Sequence, residues 1–292
     1  MLVGEKKGQV TEVRLYCTSC SQHFKIPGPA IELVAAGSSL EGMTTQSIHD
    51  LEPQLAANRR YWCGWAGAPS DTDLPTYRTD IQHVLLNGVL RTRNQPLDAA
   101  IAGAKQHLTG SRWGWWVGAD SDEGTAEGLI ARGAEQIGDM PVMAVDVTTV
   151  AQTEAPAGLE IRTVVDRAEM QEYVEAYAGP LGFSGDLGVV VDRELDFAFL
   201  DVVRLAGIVD GKTVGTCTLS LGTDVGALYC VATDPGFRRR GIATALTQEA
   251  LRITRGSGRR IATLQASKEG ERAYQKIGFE TVTRYRLFSL SE

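Results

Sequence analysis

Residues 233–246, TDPGFRRRGIATAL, pass from an apolar run through three consecutive arginines and a glycine into a helical pattern. A chain that leaves a buried strand, turns and starts a helix presents several backbone N–H groups with no intrahelical partner. Those donors and the helix dipole favour an anion. Gly241 lets the backbone approach such an anion closely, Ala243 is small enough to do the same, and Thr244 adds a hydroxyl donor. Arg238, Arg239 and Arg240 add fixed charge and forked donors. Cations at a helix start oppose the dipole, and an anionic ligand would offset that cost. The expected chemistry is a cradle for a phosphate or pyrophosphate.

The flanking pattern supplies the elements that would hold this loop. Residues 227–233, ALYCVAT, are nearly all apolar, as in a strand buried on both faces. Ile242, Leu246, Ala250 and Ile253 mark one face of a helix over 242–255. Upstream, 159–165 reads as a strand and 166–177 as a helix capped by Asp166. Strands at 202–209 and 213–221 flank the hairpin turn Asp210-Gly211. Downstream come a strand at 260–266, a helix at 269–277 capped by Gly278, and a closing strand at 279–290. This order predicts an α/β fold around a mixed sheet.

The spacing of Arg238, Gly241 and Ala243 after a buried strand resembles motif A of the GNAT (GCN5-related N-acetyltransferase) superfamily, Q/R-x-x-G-x-G/A. Residues 273–279, with Tyr274 four residues before Gly278-Phe279, resemble its second signature, one strand further on as in the family. The resemblance covers about residues 159–290 and implies acetyl-CoA binding and acetyl transfer to an amine. By that resemblance, Val231, Ala232 and Thr233 would hold the pantetheine arm and the acetyl carbonyl. The amides from Arg239 to Thr244, Ile242 and Ala243 among them, would take the pyrophosphate beside Arg238. Tyr274 would be the general acid that protonates the departing thiolate. A phenol of pKa about 10 can donate to a thiolate whose acid has pKa about 8.5 if the two meet at hydrogen-bond distance. No general base is assigned. All four histidines, His23, His49, His83 and His107, precede residue 150, and Asp186, Asp201, Asp224 or a water chain are the alternatives. Cys217 and Cys230 read as core thiols.

The first half looks like a worn copy of the second. Residues 113–119 can form a strand, 124–132 a helix, and 141–147 a closing strand, with Gly133 where Gly278 stands. That alignment puts Leu129, which cannot donate a proton, in the place of Tyr274. The turn before the helix at 97–108 lacks the R-x-x-G-x-G/A pattern, and Pro96 removes an amide donor. The whole is expected to be two GNAT-like acyl-CoA N-acyltransferase domains in tandem. Residues 1–150 would be degenerate and 151–292 catalytic, with a linker at 148–158. The five tryptophans, all in the first half, are expected to fill its core.

At 292 residues the chain suits two domains of about 100–200 residues each. A net charge of −7 disfavours nucleic acid as the main partner. No run approaches the about 18 apolar residues of a membrane helix, and the first ten residues do not read as a signal peptide, so a cytoplasmic location is expected. Cys17-x-x-Cys20 beside His23 falls short of four metal ligands, and no metal is expected. The partners expected are acetyl-CoA and a primary amine on a small molecule or peptide, acylated by direct attack. The alternatives are a mycothiol-synthase-like acyltransferase of a thiol metabolite and a non-catalytic acyl-CoA-binding sensor.

Overall fold

The computed structural model describes residues 13–17, 22–26, 47–183, 185–197 and 201–290. The chain divides into two units, residues 1–44 and 45–292. The first contains an antiparallel pair, β1 (Val13–Cys17) and β2 (Gln22–Ile26), with Val13 opposite Ile26. Cys20 and the side chains of Cys17 and His23 lie outside the described residues.

The second unit follows the expected α/β order. Its first half runs α1 (Leu51–Gly64), β3 (Thr76–Arg78), β4 (Asn87–Val89), α2 (Leu97–Leu108), β5 (Gly114–Val117), α3 (Thr125–Ala131) and β6 (Glu135–Asp146). Its second half opens with β7 (Glu160–Thr163), α4 (Arg167–Leu181), α5 (Leu187–Asp196), β8 (Val202–Val209) and β9 (Lys212–Ser220). It continues with β10 (Gly226–Thr233), α6 (Ile242–Gly256), β11 (Ile261–Gln265), α7 (Glu271–Ile277) and β12 (Glu280–Ser289).

The ten strands β3 to β12 form one mixed sheet in the order β3-β4-β5-β12-β6-β11-β10-β9-β8-β7. Only β4/β5 and β10/β11 are parallel, and each of these pairs is joined through a helix, α2 or α6, as parallel connections require. The last strand of each half lies in the other half's part of the sheet. β12 pairs with β5 (Leu287 opposite Trp116), and β6 pairs with β11 (Ala144 opposite Thr263). β6 and β12 also pair with each other, Met143 opposite Thr281. The two halves are therefore related by an exchange of final strands, and the hydrogen-bonded ladder runs unbroken between them.

The local signals behave as chemistry dictates. The Asp166 side chain accepts the Glu169 amide at 2.9 Å, while the Glu169 carboxylate accepts the Val165 amide at 2.8 Å, so two orphan donors are satisfied at the start of α4. Asp210 and Gly211 both have positive φ (50° and 76°), as a two-residue hairpin of this type needs. Helix α6 buries Ile242, Leu246, Ala250 and Ile253. It sits close on β9 because position 215 has no side chain: a Cβ there would lie 2.6 Å from Ile242 Cγ2. Trp62, Trp65, Trp115 and Trp116 are core residues, as expected.

On the other face, α4 and α5 cover a buried polar group. Arg204 Nε donates to Glu194 Oε2 at 2.7 Å, and Tyr177 donates to Glu194 Oε1 at 2.9 Å, with Glu194 fully buried. A hydrogen bond to a buried charge contributes about 1.5–3 kcal/mol. Tyr177→Phe is expected to lower stability by that amount, read from chemical denaturation midpoints at constant slope. No helix among the described residues is long and apolar enough to cross a membrane.

Candidate active site

The site begins with a fault in β10. Its parallel register with β11 covers only Gly226–Leu228, opposite Ala262–Leu264. Its antiparallel register with β9 breaks between Tyr229 and Ala232. Cys230 has φ +48°, a region non-glycine residues seldom enter. Thr216 Oγ1 donates to the Cys230 carbonyl at 2.7 Å and holds this bulge in place. β10 therefore parts from β11 before it reaches Val231, Ala232 and Thr233. Their backbone is free of the ladder on the β11 side.

The loop after β10 is built on its own hydrogen bonds. Asp234 Oδ1 accepts the Gly236 amide at 2.9 Å, and Lys212 Nζ lies 2.7 Å from Asp234 Oδ2. Of the three arginines, two fold back on the loop. Arg238 Nε donates to the Thr233 carbonyl at 3.3 Å, and Arg240 donates to the Gly236 carbonyl at 3.2 Å with its guanidinium 5.0 Å from the Phe237 ring centre. Arg239 is exposed. Arg239 and Gly241 have φ of +61° and +81°, and left-handed residues at alternate positions turn backbone N–H groups into a concavity that suits an anion. Gly241 is the N-cap of α6 and no side chain caps the helix there. The amides of Ile242, Ala243 and Thr244 thus begin the helix without a side-chain acceptor. The interhalf strap, residues 150–158, crosses this helix. Thr153 donates to Gln248 Oε1 at 2.7 Å, and Pro156 Cγ stands 3.2 Å from where a Cβ on Gly241 would be.

Tyr274 lies on α7, half-buried, with its ring 5.7 Å from that of Phe279. With Val231 and Phe237 it borders the apolar cluster that α6 packs on. Burial raises its phenol pKa above the ordinary value, and Cys217 adds to the effect. The buried phenols of Tyr61, Tyr77, Tyr173, Tyr177, Tyr229 and Tyr285 are raised too, burial being the first cause in each. In the unfolded chain such phenols ionise near pH 10. A raised folded-state pKa gives stability that is full below that pH and is lost as pH rises beyond it. The melting temperature should fall steeply above about pH 10, in a scan from pH 7 to 11.

The carboxylates considered from the sequence lie elsewhere. Asp186 caps α5 through the Gly188 amide, and Asp201 and Asp224 act on Arg259. The carboxylate whose charge is felt at the bulge is Glu194, which the sequence reading did not single out. Burial and Glu194 push the Cys230 thiol up to about 12. Tyr61 from α1 closes this face: its ring stacks on Tyr229 at 3.5 Å and its hydroxyl is 3.9 Å from Cys230 Sγ.

The first half carries the matching geometry with altered contents. The Ala134 amide donates to the Leu129 carbonyl at 3.0 Å, as the Phe279 amide does to Tyr274 at 3.1 Å. Leu129 is fully buried. Beyond the parallel pair Val89–Trp115, the loop from β5 to α3 lies across the opening. The Asp122 amide donates to the Thr92 carbonyl at 2.8 Å, and the Asp122 carboxylate accepts the Asn94 amide at 2.8 Å. Among the described residues no group of three or more potential ligands could hold a metal ion.

Comparison with known proteins agrees with this geometry. Residues 203–281 match the family model described as Acetyltransferase (GNAT) domain. A GCN5-related N-acetyltransferase from Kribbella flavida is similar over 81% of this chain and 94% of that one, at 19% identity and a TM-score of 0.60. A GCN5-related N-acetyltransferase from Sphaerobacter thermophilus is similar over 66% of this chain and 65% of that one, at 22% identity and a TM-score of 0.54. A tandem GNAT protein from the clavulanic acid biosynthesis pathway is similar over 66% and 69%, at 14% identity and a TM-score of 0.50. No curated protein is significantly similar in sequence. Residues 203–281 therefore resemble a GNAT acetyltransferase domain, and the chain has the GNAT fold in a tandem arrangement.

Proposed function

We propose that this chain is an acetyl-CoA-dependent N-acetyltransferase that acts in the cytoplasm on a primary amine of a small molecule or peptide. The second half, residues 151–292, is the active one. The observation that carries this reading is the parting of β10 from β11 at the Cys230 bulge, directly before a helix start with no side-chain cap. Free backbone on Val231–Thr233 suits the amide-rich arm and acyl carbonyl of acetyl-CoA. The N–H groups from Arg239 to Thr244 suit its pyrophosphate, with Arg238, Arg239 and Arg240 adding charge. When bound, acetyl-CoA supplies an activated thioester. Tyr274 holds a proton for the leaving sulfur, and the apolar cluster around it excludes water. The amine attacks the acyl carbon directly, and its proton leaves to a base that is not assigned.

The first half, residues 1–150, is read as a GNAT-like domain that holds no acetyl-CoA. Asp122 already occupies the Asn94 amide in the turn before α2, and Leu129 stands in the place of the acid. A second reading, a non-catalytic acyl-CoA sensor, is favoured by Tyr61, whose ring stacks on Tyr229 and whose hydroxyl lies against Cys230 at the bulge. The test of cofactor use is calorimetric titration of acetyl-CoA. One site per chain is expected. Two sites would overturn the reading of the first half, and no binding would overturn the acetyltransferase reading.

A further inference from the structure

Two strands meet unevenly beside the proposed acyl site. Tyr229 of β10 faces Thr218 of β9, and Ala232 faces Thr216, so Cys230 and Val231 together stand against Cys217 alone. An extra residue in one strand of an antiparallel pair is a β-bulge. Cys230 takes up the excess at φ +48°. A residue with a Cβ keeps such a conformation only where its surroundings fix it. The side chain is held on one side, with Sγ 3.9 Å from the Tyr61 hydroxyl. The main chain is held on the other. Thr216 is fully buried, and its hydroxyl donates to the Cys230 carbonyl at 2.7 Å.

That hydrogen bond decides which way a peptide group faces. Among the described residues no peptide bond is cis, and in a planar trans peptide the C=O and the N–H that follows it point in opposite directions. The Cys230 carbonyl is drawn toward β9. The Val231 N–H therefore points toward β11, where the parallel ladder has already ended at Leu228 opposite Leu264. It is a donor aimed into the gap between the parted strands. The opposite orientation of the same peptide would put a carbonyl oxygen there, facing the carbonyl oxygen of a thioester. Without the hydroxyl at position 216 the Cys230 carbonyl loses this partner, and the peptide is released to rotate.

We propose that Thr216 is a positioning residue for acyl transfer. From β9, and acting through the main chain of β10, its hydroxyl holds the peptide between Cys230 and Val231 so that the Val231 N–H is presented to the acyl carbonyl of acetyl-CoA. The proposal rests on the acetyl-transfer reading, which supplies that carbonyl. Thr218, two residues further along β9, offers a control of the same chemistry. Its hydroxyl meets the Tyr173 hydroxyl at 2.8 Å and the Cys230 thiol.

The test needs no acceptor. Acetyl-CoA carrying carbon-13 at the acyl carbonyl is bound to the protein, and the carbonyl stretch is read by isotope-edited infrared difference spectroscopy. Thr216→Val keeps the shape of the side chain and removes the hydroxyl. It should move the band to higher wavenumber, because the carbonyl loses a donor. Thr216→Ser restores the hydroxyl and should return the band to its place in the unaltered protein, and Thr218→Val should leave it there. In calorimetric titrations Thr216→Val should weaken acetyl-CoA by about 2- to 10-fold, the worth of one neutral hydrogen bond, and leave CoA, which has no acyl carbonyl, unchanged. Thr216→Ala takes the place of Thr216→Val if that variant does not fold. An unmoved band in a variant without the hydroxyl would overturn the proposal and leave the acetyl-transfer reading standing. So would a band moved as far by Thr216→Ser or Thr218→Val, or equal weakening of acetyl-CoA and CoA. Absence of acetyl-CoA binding to the unaltered protein would overturn the acetyl-transfer reading and the proposal with it.

Discussion

Acetyl-CoA is expected to bind the Gly241→Asp variant at least about 100-fold more weakly than the unaltered protein, a loss of about 2.7 kcal/mol. The prediction follows from the backbone. Gly241 is the N-cap of α6 at φ +81°, and aspartate is among the few residues that tolerate this region, so the loop is expected to keep its path. Its Cβ would meet Pro156 at 3.2 Å, a contact the strap can relieve by a few tenths of an ångström. The carboxylate would then accept the amides at the helix start and place a negative charge where the pyrophosphate is proposed to lie. Gly241→Asn has nearly the same shape without the charge and should lose less. The measurement is a pair of calorimetric titrations with the melting temperature recorded beside them. Unchanged affinity in a folded Gly241→Asp variant would show that acetyl-CoA binds elsewhere.

How far the sequence disclosed this site depends on how local each signal is. The loop from Thr233 to Leu246 was legible because a buried strand, a turn and an amphipathic helix each write their pattern in consecutive residues. So was the repeat of the helix-capping glycines Gly133 and Gly278, which have φ of +84° and +114°. The bulge at Cys230 was not legible. It is set by a hydrogen bond from Thr216 on the neighbouring strand, and nothing within ALYCVAT marks it. The exchange of β6 and β12 was hidden for the same reason. An apolar alternation predicts a strand but does not name its partner.

Helix α1 escaped because its buried side includes Gln54, Asn58 and Arg59, which break the apolar periodicity. Glu194 escaped because only the fold brings it to Arg204 and Tyr177. Where the sequence pattern failed, polar groups are buried, and a buried polar group has to be explained by a partner or a ligand.

Turnover by Tyr274→Phe is expected to fall by about 100-fold or more with little change in affinity for acetyl-CoA, general acid catalysis being worth about 10²–10⁴ in rate. An ordinary phenol is already protonated throughout the neutral range, and burial raises the pKa of this one further. The same burial makes it a weaker acid, and a thiolate released into a water-poor site would be more basic for the same reason. Removing the hydroxyl leaves the ring contact with Phe279 in place, so the variant should melt as the unaltered protein does. Release of free CoA from acetyl-CoA in the presence of an amine gives the rate, and calorimetry gives the affinity. A lost rate with retained affinity supports a catalytic second half with Tyr274 as its acid. An unchanged rate would remove Tyr274 from the chemistry. If the unaltered protein binds acetyl-CoA but releases no CoA with any amine, the Tyr61 closure over the bulge is the decisive feature, and the chain is a sensor of acyl-CoA.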